Sequence, residues 1–115
     1  MSATLSEDVT VTCEAVPVQV QGRLRDGRYF YFRARGRRAQ LGVAHDYEHA
    51  VWMTVWHGAA PFDCDGVYLW DALHPPGYYV HRDLSHLGEF GAECIELSEA
   101  FALLREMARS VPDAA

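Results

Sequence analysis

Two short segments of alternating hydrophobic and polar residues, separated by an Asp-Gly pair, constrain the fold more than any other feature of this sequence. In residues 16–25, valines and a leucine occupy one parity, and glutamines and arginines occupy the other. Residues 29–35 alternate in the same way, with phenylalanine and alanine set against tyrosine and arginine. A period of two residues is typical of a strand with one buried face. Because Asp26-Gly27 favours a tight turn, the sequence predicts an antiparallel hairpin.

The length of the turn decides which side chains of the hairpin face the core. A two-residue turn would pair Val20 with Arg33 and place arginines on the valine face. A three-residue loop, with Gly27 in the left-handed conformation, pairs Val20 with Phe32 and keeps the hydrophobic residues together. We therefore predict the three-residue loop. It gathers the polar and aromatic residues on the outer face, namely Gln19, Gln21, Arg23, Tyr29, Tyr31, Arg33 and Arg35.

The rest of the chain predicts an α+β fold. Residues 39–43 continue the inward parity as a third strand, and residues 78–81 form a further short strand. Residues 50–57, AVWMTVWH, are hydrophobic at both parities and rich in β-branched and aromatic residues, which favours a central strand covered on both faces, with a helix as the alternative. A helix is predicted over residues 98–109, with Ser98 as its N-cap and its hydrophobic residues facing the sheet. We expect an antiparallel meander of about four to six strands packed against one C-terminal helix.

Length and composition indicate one globular domain. A chain of 115 residues has room for a single core, and residues 9–111 are expected to be its ordered part, because small and acidic residues dominate both ends. No hydrophobic run approaches the ~18 residues of a membrane-spanning helix, and the N-terminal residues lack the pattern of a secretory signal. The three cysteines form no CxxC pair, which suits a reducing compartment. These features predict a cytoplasmic protein without membrane contacts.

Charge is distributed unevenly along the chain. Residues 23–38 hold seven arginines and one acid, a balance of +6, whereas the remainder holds three arginines and fifteen acids, a balance of -12. Arginine and tyrosine are typical of protein-binding hot spots and of surfaces that stack on bases, and the acids on and before the last helix would attract a basic partner. We therefore predict a binding surface drawn from Arg23, Tyr29, Tyr31, Arg33, Arg35, Glu96 and Glu99.

One short motif matches a metal site. Residues 45–49, HDYEH, satisfy the H-x-x-E-H pattern, in which two histidines on successive turns of a helix hold zinc and the glutamate polarises a water molecule. Five residues match by chance easily, and no spacing fixes a third ligand. We therefore expect no cofactor, and we keep zinc as the alternative, held by His45, Glu48 and His49 with a third ligand from Glu89, Glu93, His81 or His86.

The segments PVQVQG and DGRYFYFRARG, followed near the C-terminus by an acidic residue, a hydrophobic one and a short alanine-rich helix, resemble small uncharacterised proteins of actinobacteria and their phages. The resemblance covers the first hairpin and, loosely, the last helix. It implies no activity.

Taken together, these features predict a small noncatalytic protein-binding module, either a monomer or a homodimer. Its size and charge suit a phage or mobile-element inhibitor of a host nucleic-acid-binding defence complex. Two alternatives use different chemistry: a zinc hydrolase at the H-x-x-E-H motif, and a single-stranded RNA-binding domain that uses Tyr29, Tyr31 and Arg33. Binding to nucleic acid is the less favoured of the partner classes, because the net charge of -6 opposes attraction to phosphates.

Overall fold

A six-stranded antiparallel sheet forms the centre of the computed structural model, which describes residues 4–13, 18–58, 66–73, 75–88 and 95–112. The strands are β1 (Leu5–Cys13), β2 (Val18–Leu24), β3 (Tyr29–Arg35), β4 (Arg38–Ala44), β5 (Gly66–Trp70) and β6 (Gly77–Asp83); the helices are α1 (Tyr47–Gly58) and α2 (Leu97–Arg109), with a 3-10 turn at Ser85–Leu87. Their spatial order is β1-β2-β3-β4-β6-β5, so the first four strands form a meander and β5 is an edge strand. The predicted α+β architecture is confirmed. No described helix has the length and hydrophobicity needed to cross a membrane.

The β2–β3 hairpin has the register of the three-residue loop. Val20 lies opposite Phe32, and Gly22 lies opposite Phe30. Gly27 has a φ of 94°, the left-handed conformation that the loop requires. The predicted pairing is therefore confirmed, and the valine and phenylalanine side chains share one face of the sheet.

The main hydrophobic core lies between that face and α2. The strands contribute fully buried valines, phenylalanines and Leu41, and α2 contributes Leu104, Met107 and Ala108. The predicted inward face of the last helix is confirmed. The start of the helix differs from the prediction. Helix α2 begins at Leu97, and the N-cap residue is Glu96, whose side chain makes no capping hydrogen bond. The prediction of Ser98 as N-cap is therefore wrong.

Residues 47–58 form a helix, so the strand favoured for residues 50–57 is wrong. The segment is hydrophobic at both strand parities because α1 has two hydrophobic sides. Ala50 and Met53 are fully buried against the sheet, whereas Trp52 and Val55, on the other side, are 44% and 58% exposed. A helix that is hydrophobic all round is normally buried on every side, and α1 departs from that rule.

Helix α1 packs on the second face of the sheet, directly over Gly42 of β4. A Cβ atom at Gly42 would lie 1.9 Å from the carbonyl oxygen of Ala50, so the helix backbone touches the strand because this residue has no side chain. A second buried cluster surrounds the contact, formed by Tyr31, Ala44, Ala50, Met53 and Tyr79. The sheet therefore carries a helix on each face, whereas the sequence predicted only α2.

Two further features differ from the sequence-based expectations. Strand β1 begins at Leu5, so residues 5–8 belong to the sheet and not to a disordered end. Arg28, which the charge count includes in the basic segment 23–38, is 3% exposed. Its guanidinium donates to the carboxylate of Asp26 at 2.6 Å and to the carbonyl oxygen of Pro112 at 2.7 Å. Arg28 therefore ties the hairpin loop to the chain beyond α2 and is not available to a partner.

The variant Gly42→Ala tests the contact between α1 and β4. Because the added methyl group would overlap a backbone oxygen, α1 must shift and lose packing, and we expect the free energy of unfolding to fall by about 3 kcal/mol in urea denaturation. Gly66→Ala is the control, because there the Cβ atom would meet a side chain, with the Nε2 atom of His81 at 2.7 Å. That variant should lose about 1 kcal/mol. Equal losses would contradict a direct contact with the helix backbone.

Candidate functional site

The predicted binding residues do not form one surface. The hairpin residues lie on the face of the sheet that α1 partly covers, whereas Glu96 and Glu99 lie at the start of α2 on the opposite face. Tyr31 is 9% exposed and packs in the cluster beneath α1. The sequence indicated the parity of Tyr31 correctly, but the prediction that this ring is exposed is wrong, because a helix lies over it.

The other hairpin residues of the predicted binding surface remain at least partly exposed to solvent. The guanidinium of Arg23 stacks on the ring of Tyr29, 4.5 Å from the ring centroid. Arg33 is partly buried, and Arg35 is exposed at the end of β3. The Nε atoms of Arg23 and Arg33 have no hydrogen-bond partner among the described residues. The exposed part of the predicted hairpin surface is therefore smaller than expected, because Tyr31 is buried.

A small cleft of about 160 Å³ opens beside Arg23, between β1, β2 and the start of α1. Tyr47 closes one side, and its hydroxyl group donates a hydrogen bond to Oε1 of Gln21. Burial raises the pKa of Tyr47 above its usual value. Asp8 and Arg23 both line the cleft, so it contains one side chain of each charge and has no strong preference for an anion.

The residues of the H-x-x-E-H motif start α1. His45 precedes the helix, whereas the zinc motif requires both histidines within it. Asp46 is the N-cap: its Oδ1 accepts a hydrogen bond from the backbone N–H of His49 at 2.8 Å, and its Oδ2 lies 2.5 Å from Nδ1 of the same residue. These hydrogen bonds lower the pKa of Asp46 below its usual value. The geometry is that of a helix cap, with Glu48 exposed in the first turn.

No group of three or more histidine, cysteine, aspartate or glutamate side chains in the described part of the chain could hold a metal ion. Of the residues proposed as third ligands, His81 is 1% exposed, with its ring stacked against those of Tyr68 and Tyr79, and His86 is exposed on the 3-10 turn. Glu89 and Glu93 lie outside the described residues. The described residues therefore do not bring a third ligand to His45, Glu48 and His49.

Exposed hydrophobic side chains concentrate on α1 and on the edge strand β5. Besides Trp52 and Val55, the central residues of β5 are open to solvent, with Tyr68 44% and Leu69 54% exposed. The ring of Trp52 stacks on that of Trp70, with centroids 5.8 Å apart and planes 16° from parallel. This stack joins the outer side of α1 to the edge of the sheet.

The outer side of α1 carries a shallow groove of about 380 Å³, lined by Tyr47, Glu48, Val51, Trp52 and Val55. We call it the α1 groove. Val51 and Val55 are one turn apart and lie in line along the helix, and Trp52 stands beside them. Among the residues that line the groove, Glu48 is the one with an acidic side chain. An exposed hydrophobic groove that contains a tryptophan is typical of a surface that binds another protein.

Comparisons with protein-family models, with curated proteins and with solved structures found no match to this chain. A functional assignment therefore depends on the geometry of the chain itself.

The N-cap role of Asp46 predicts a stability effect that depends on pH. Asp46→Ala should lower the free energy of unfolding by about 1 kcal/mol at neutral pH, because the first amides of α1 lose an acceptor. Asp46→Asn keeps an acceptor and should lose less. Because folding lowers the pKa of Asp46, the contribution of its charge is present above the unfolded value of 3.8 and is lost as pH falls through the folded value.

Thermal unfolding of the wild type and of Asp46→Asn between pH 7 and pH 3 measures this contribution. The two melting temperatures should converge as the solution is acidified. Asp71→Asn, an exposed aspartate outside the helix, is the control and should follow the wild type throughout. A difference between wild type and Asp46→Asn that stays constant down to pH 3 would show that the charge of Asp46 does not stabilise α1.

Proposed function

We propose that this chain is a small noncatalytic protein-binding domain and that the α1 groove is its contact surface. The observation that carries the proposal is the exposure of Trp52 and Val55 on a helix whose opposite side lies in the core. Fully burying a side chain of this size releases about 1.5–3 kcal/mol, and because both residues are about half exposed, a partner would gain roughly half of that from each. Tryptophan is among the residues that contribute most to binding energy at protein interfaces.

The partner we propose is a basic segment with a bulky hydrophobic side chain. Glu48 lines the groove, Asp46 begins the helix, and Asp71 follows Trp70, whose ring stacks on Trp52. The chain outside residues 23–38 carries a balance of -12, which attracts a positive partner and raises its association rate. The hydrophobic side chain would insert beside the tryptophan, and a neighbouring lysine or arginine would pair with Glu48.

A partner of this chemistry suggests a target class. Proteins that bind nucleic acids present lysine and arginine to phosphates, and an acidic domain that occupies those residues competes with the nucleic acid. We therefore propose that the chain acts as an inhibitor of a nucleic-acid-binding complex, as expected of a phage or mobile-element protein. The burial of Tyr31 supports this role over direct RNA binding, which would use that ring as a stacking platform.

Selection from a random peptide library against the full-length chain tests the α1 groove. Enriched peptides should combine an aromatic or branched aliphatic residue with lysine or arginine. Val55→Asp should weaken the binding of these peptides at least ~10-fold, because it would bury a carboxylate against a hydrophobic side chain. Glu48→Gln should weaken it about fivefold by removing the attraction to the basic residue. Isothermal titration calorimetry of synthetic peptides measures both changes.

The control variant is Leu87→Asp, which changes a hydrophobic residue of similar exposure outside the groove. It should bind as the wild type does. All three substitutions are at exposed positions, so each should leave the free energy of unfolding within about 0.5 kcal/mol of the wild type. The proposal fails if no peptides are enriched, or if the enriched peptides bind Val55→Asp as tightly as the wild type.

The inhibitor role has its own test once a selected sequence leads to a partner protein. The chain should displace labelled nucleic acid from that partner in a fluorescence-anisotropy titration, because both ligands use the same basic residues. Val55→Asp should displace it only at concentrations at least ~10-fold higher. Binding without displacement would retain the binding function and reject the inhibitor role.

A further inference from the structure

The two edge strands of the sheet differ in their protection against pairing with another chain. An open edge presents unpaired backbone N–H and C=O groups, and charges or bulges normally block it. Strand β1 carries the exposed residues Glu7 and Asp8 and has two register shifts against β2. Strand β5, with the sequence GVYLW, has no charge, no proline and no register shift against β6. It therefore lacks the charged residues and the register shifts that protect β1.

We propose that β5 is a self-association edge that pairs antiparallel with β5 of a second copy of this chain. The pairing would join two six-stranded sheets across a two-fold axis. In the part of the chain that the structure describes, β5 is the last strand on its side of the sheet. This edge adjoins the α1 groove through the stack of Trp70 on Trp52, but no β5 residue lines the groove, so the inference does not depend on the proposed function.

Side-chain parity restricts the register of such a pair. Residues that lie opposite each other must point to the same face of the sheet. On β5, Val67 and Leu69 share one face, and Gly66, Tyr68 and Trp70 share the other. The two-fold axis must therefore pass through a residue, and only the axis at Tyr68 pairs all five strand residues with strand residues of the second copy.

This register is self-complementary. It places Val67 opposite Leu69 of the second copy, twice, which gives a pair of branched aliphatic contacts on one face. On the other face it places Gly66, which the ring of His81 covers, opposite Trp70 of the second copy, so the facing residue has no side chain to clash with the indole. Within the chain, Trp70 already lies opposite a glycine, Gly77 of β6. Since β5 has no charged residue, no like charges meet within the paired strands.

The size of the contact predicts a weak dimer. Val67, Tyr68 and Leu69 are 43%, 44% and 54% exposed. Together with the flanking strand residues they would bury roughly 300 Å² per copy, or about 600 Å² in total, which is below the usual range of stable interfaces. We therefore expect a dissociation constant of roughly 0.1–1 mM, so the protein is a monomer in dilute solution and forms dimers at high concentration.

Sedimentation equilibrium of the full-length chain from about 1 µM to about 1 mM tests the inference over the expected range. The weight-average mass should rise from 13.0 kDa towards twice that value. Val67→Lys should raise the dissociation constant at least ~10-fold, because an ammonium group would be desolvated at each of the two symmetric sites. Leu69→Glu should do the same. An equimolar mixture of the two variants should associate again, because the introduced ammonium and carboxylate groups lie opposite each other in this register.

Two controls separate this edge from other surfaces. Thr10→Lys adds the same charge at an exposed position of β1, and Val55→Asp alters the α1 groove. Both should dimerise like the wild type, so dimerisation and peptide binding can fail independently. The inference is overturned if the mass stays at 13.0 kDa up to about 1 mM, if Val67→Lys associates as the wild type does, or if Val55→Asp abolishes association.

Discussion

The contact between Gly42 of β4 and the backbone of Ala50 in α1 fixes the position of α1 on the sheet, and several other features of the structure follow from that position. Because glycine has no side chain, the helix lies directly on the sheet, and Ala50 and Met53 fill the space around the contact. The same placement covers Tyr31 and directs Trp52 towards solvent. One close approach therefore removes part of the polar face of the hairpin and also creates the hydrophobic groove on the opposite side of the helix.

Sequence patterns predicted the hairpin because only one loop length keeps its hydrophobic side chains on one face, and a strand period of two leaves no intermediate arrangement. They did not predict α1, because residues 50–57 are hydrophobic at nearly every position, and such a run has no period that separates a buried strand from a helix. The N-cap was the available signal. Asp46 precedes the helix with good capping chemistry, but the β-branched and aromatic residues that follow favoured a strand.

The candidate site was harder to predict than the fold, because exposure depends on elements distant in sequence. The parity of Tyr31 follows from its own strand, but its burial depends on a helix that begins at residue 47. Arg28 adds to the positive charge of the hairpin in a count of residues, yet its guanidinium is held by Asp26 and by Pro112 near the other end of the chain. A local charge balance gives the sign of a segment and cannot show which side chains reach a partner.

The distribution of charge explains how this chain can keep hydrophobic surface exposed. A net charge of -6 makes copies repel one another at long range, which opposes indiscriminate association of their hydrophobic surfaces. The repulsion does not act selectively on β5, which has no charged residue, so a geometrically matched strand can still approach it at high concentration. For a basic partner the sign of the interaction is reversed, since the same acidic surface attracts it towards Glu48 and the α1 groove. In both proposals charge selects among partners, and the hydrophobic residues of α1 and β5 would supply the binding energy.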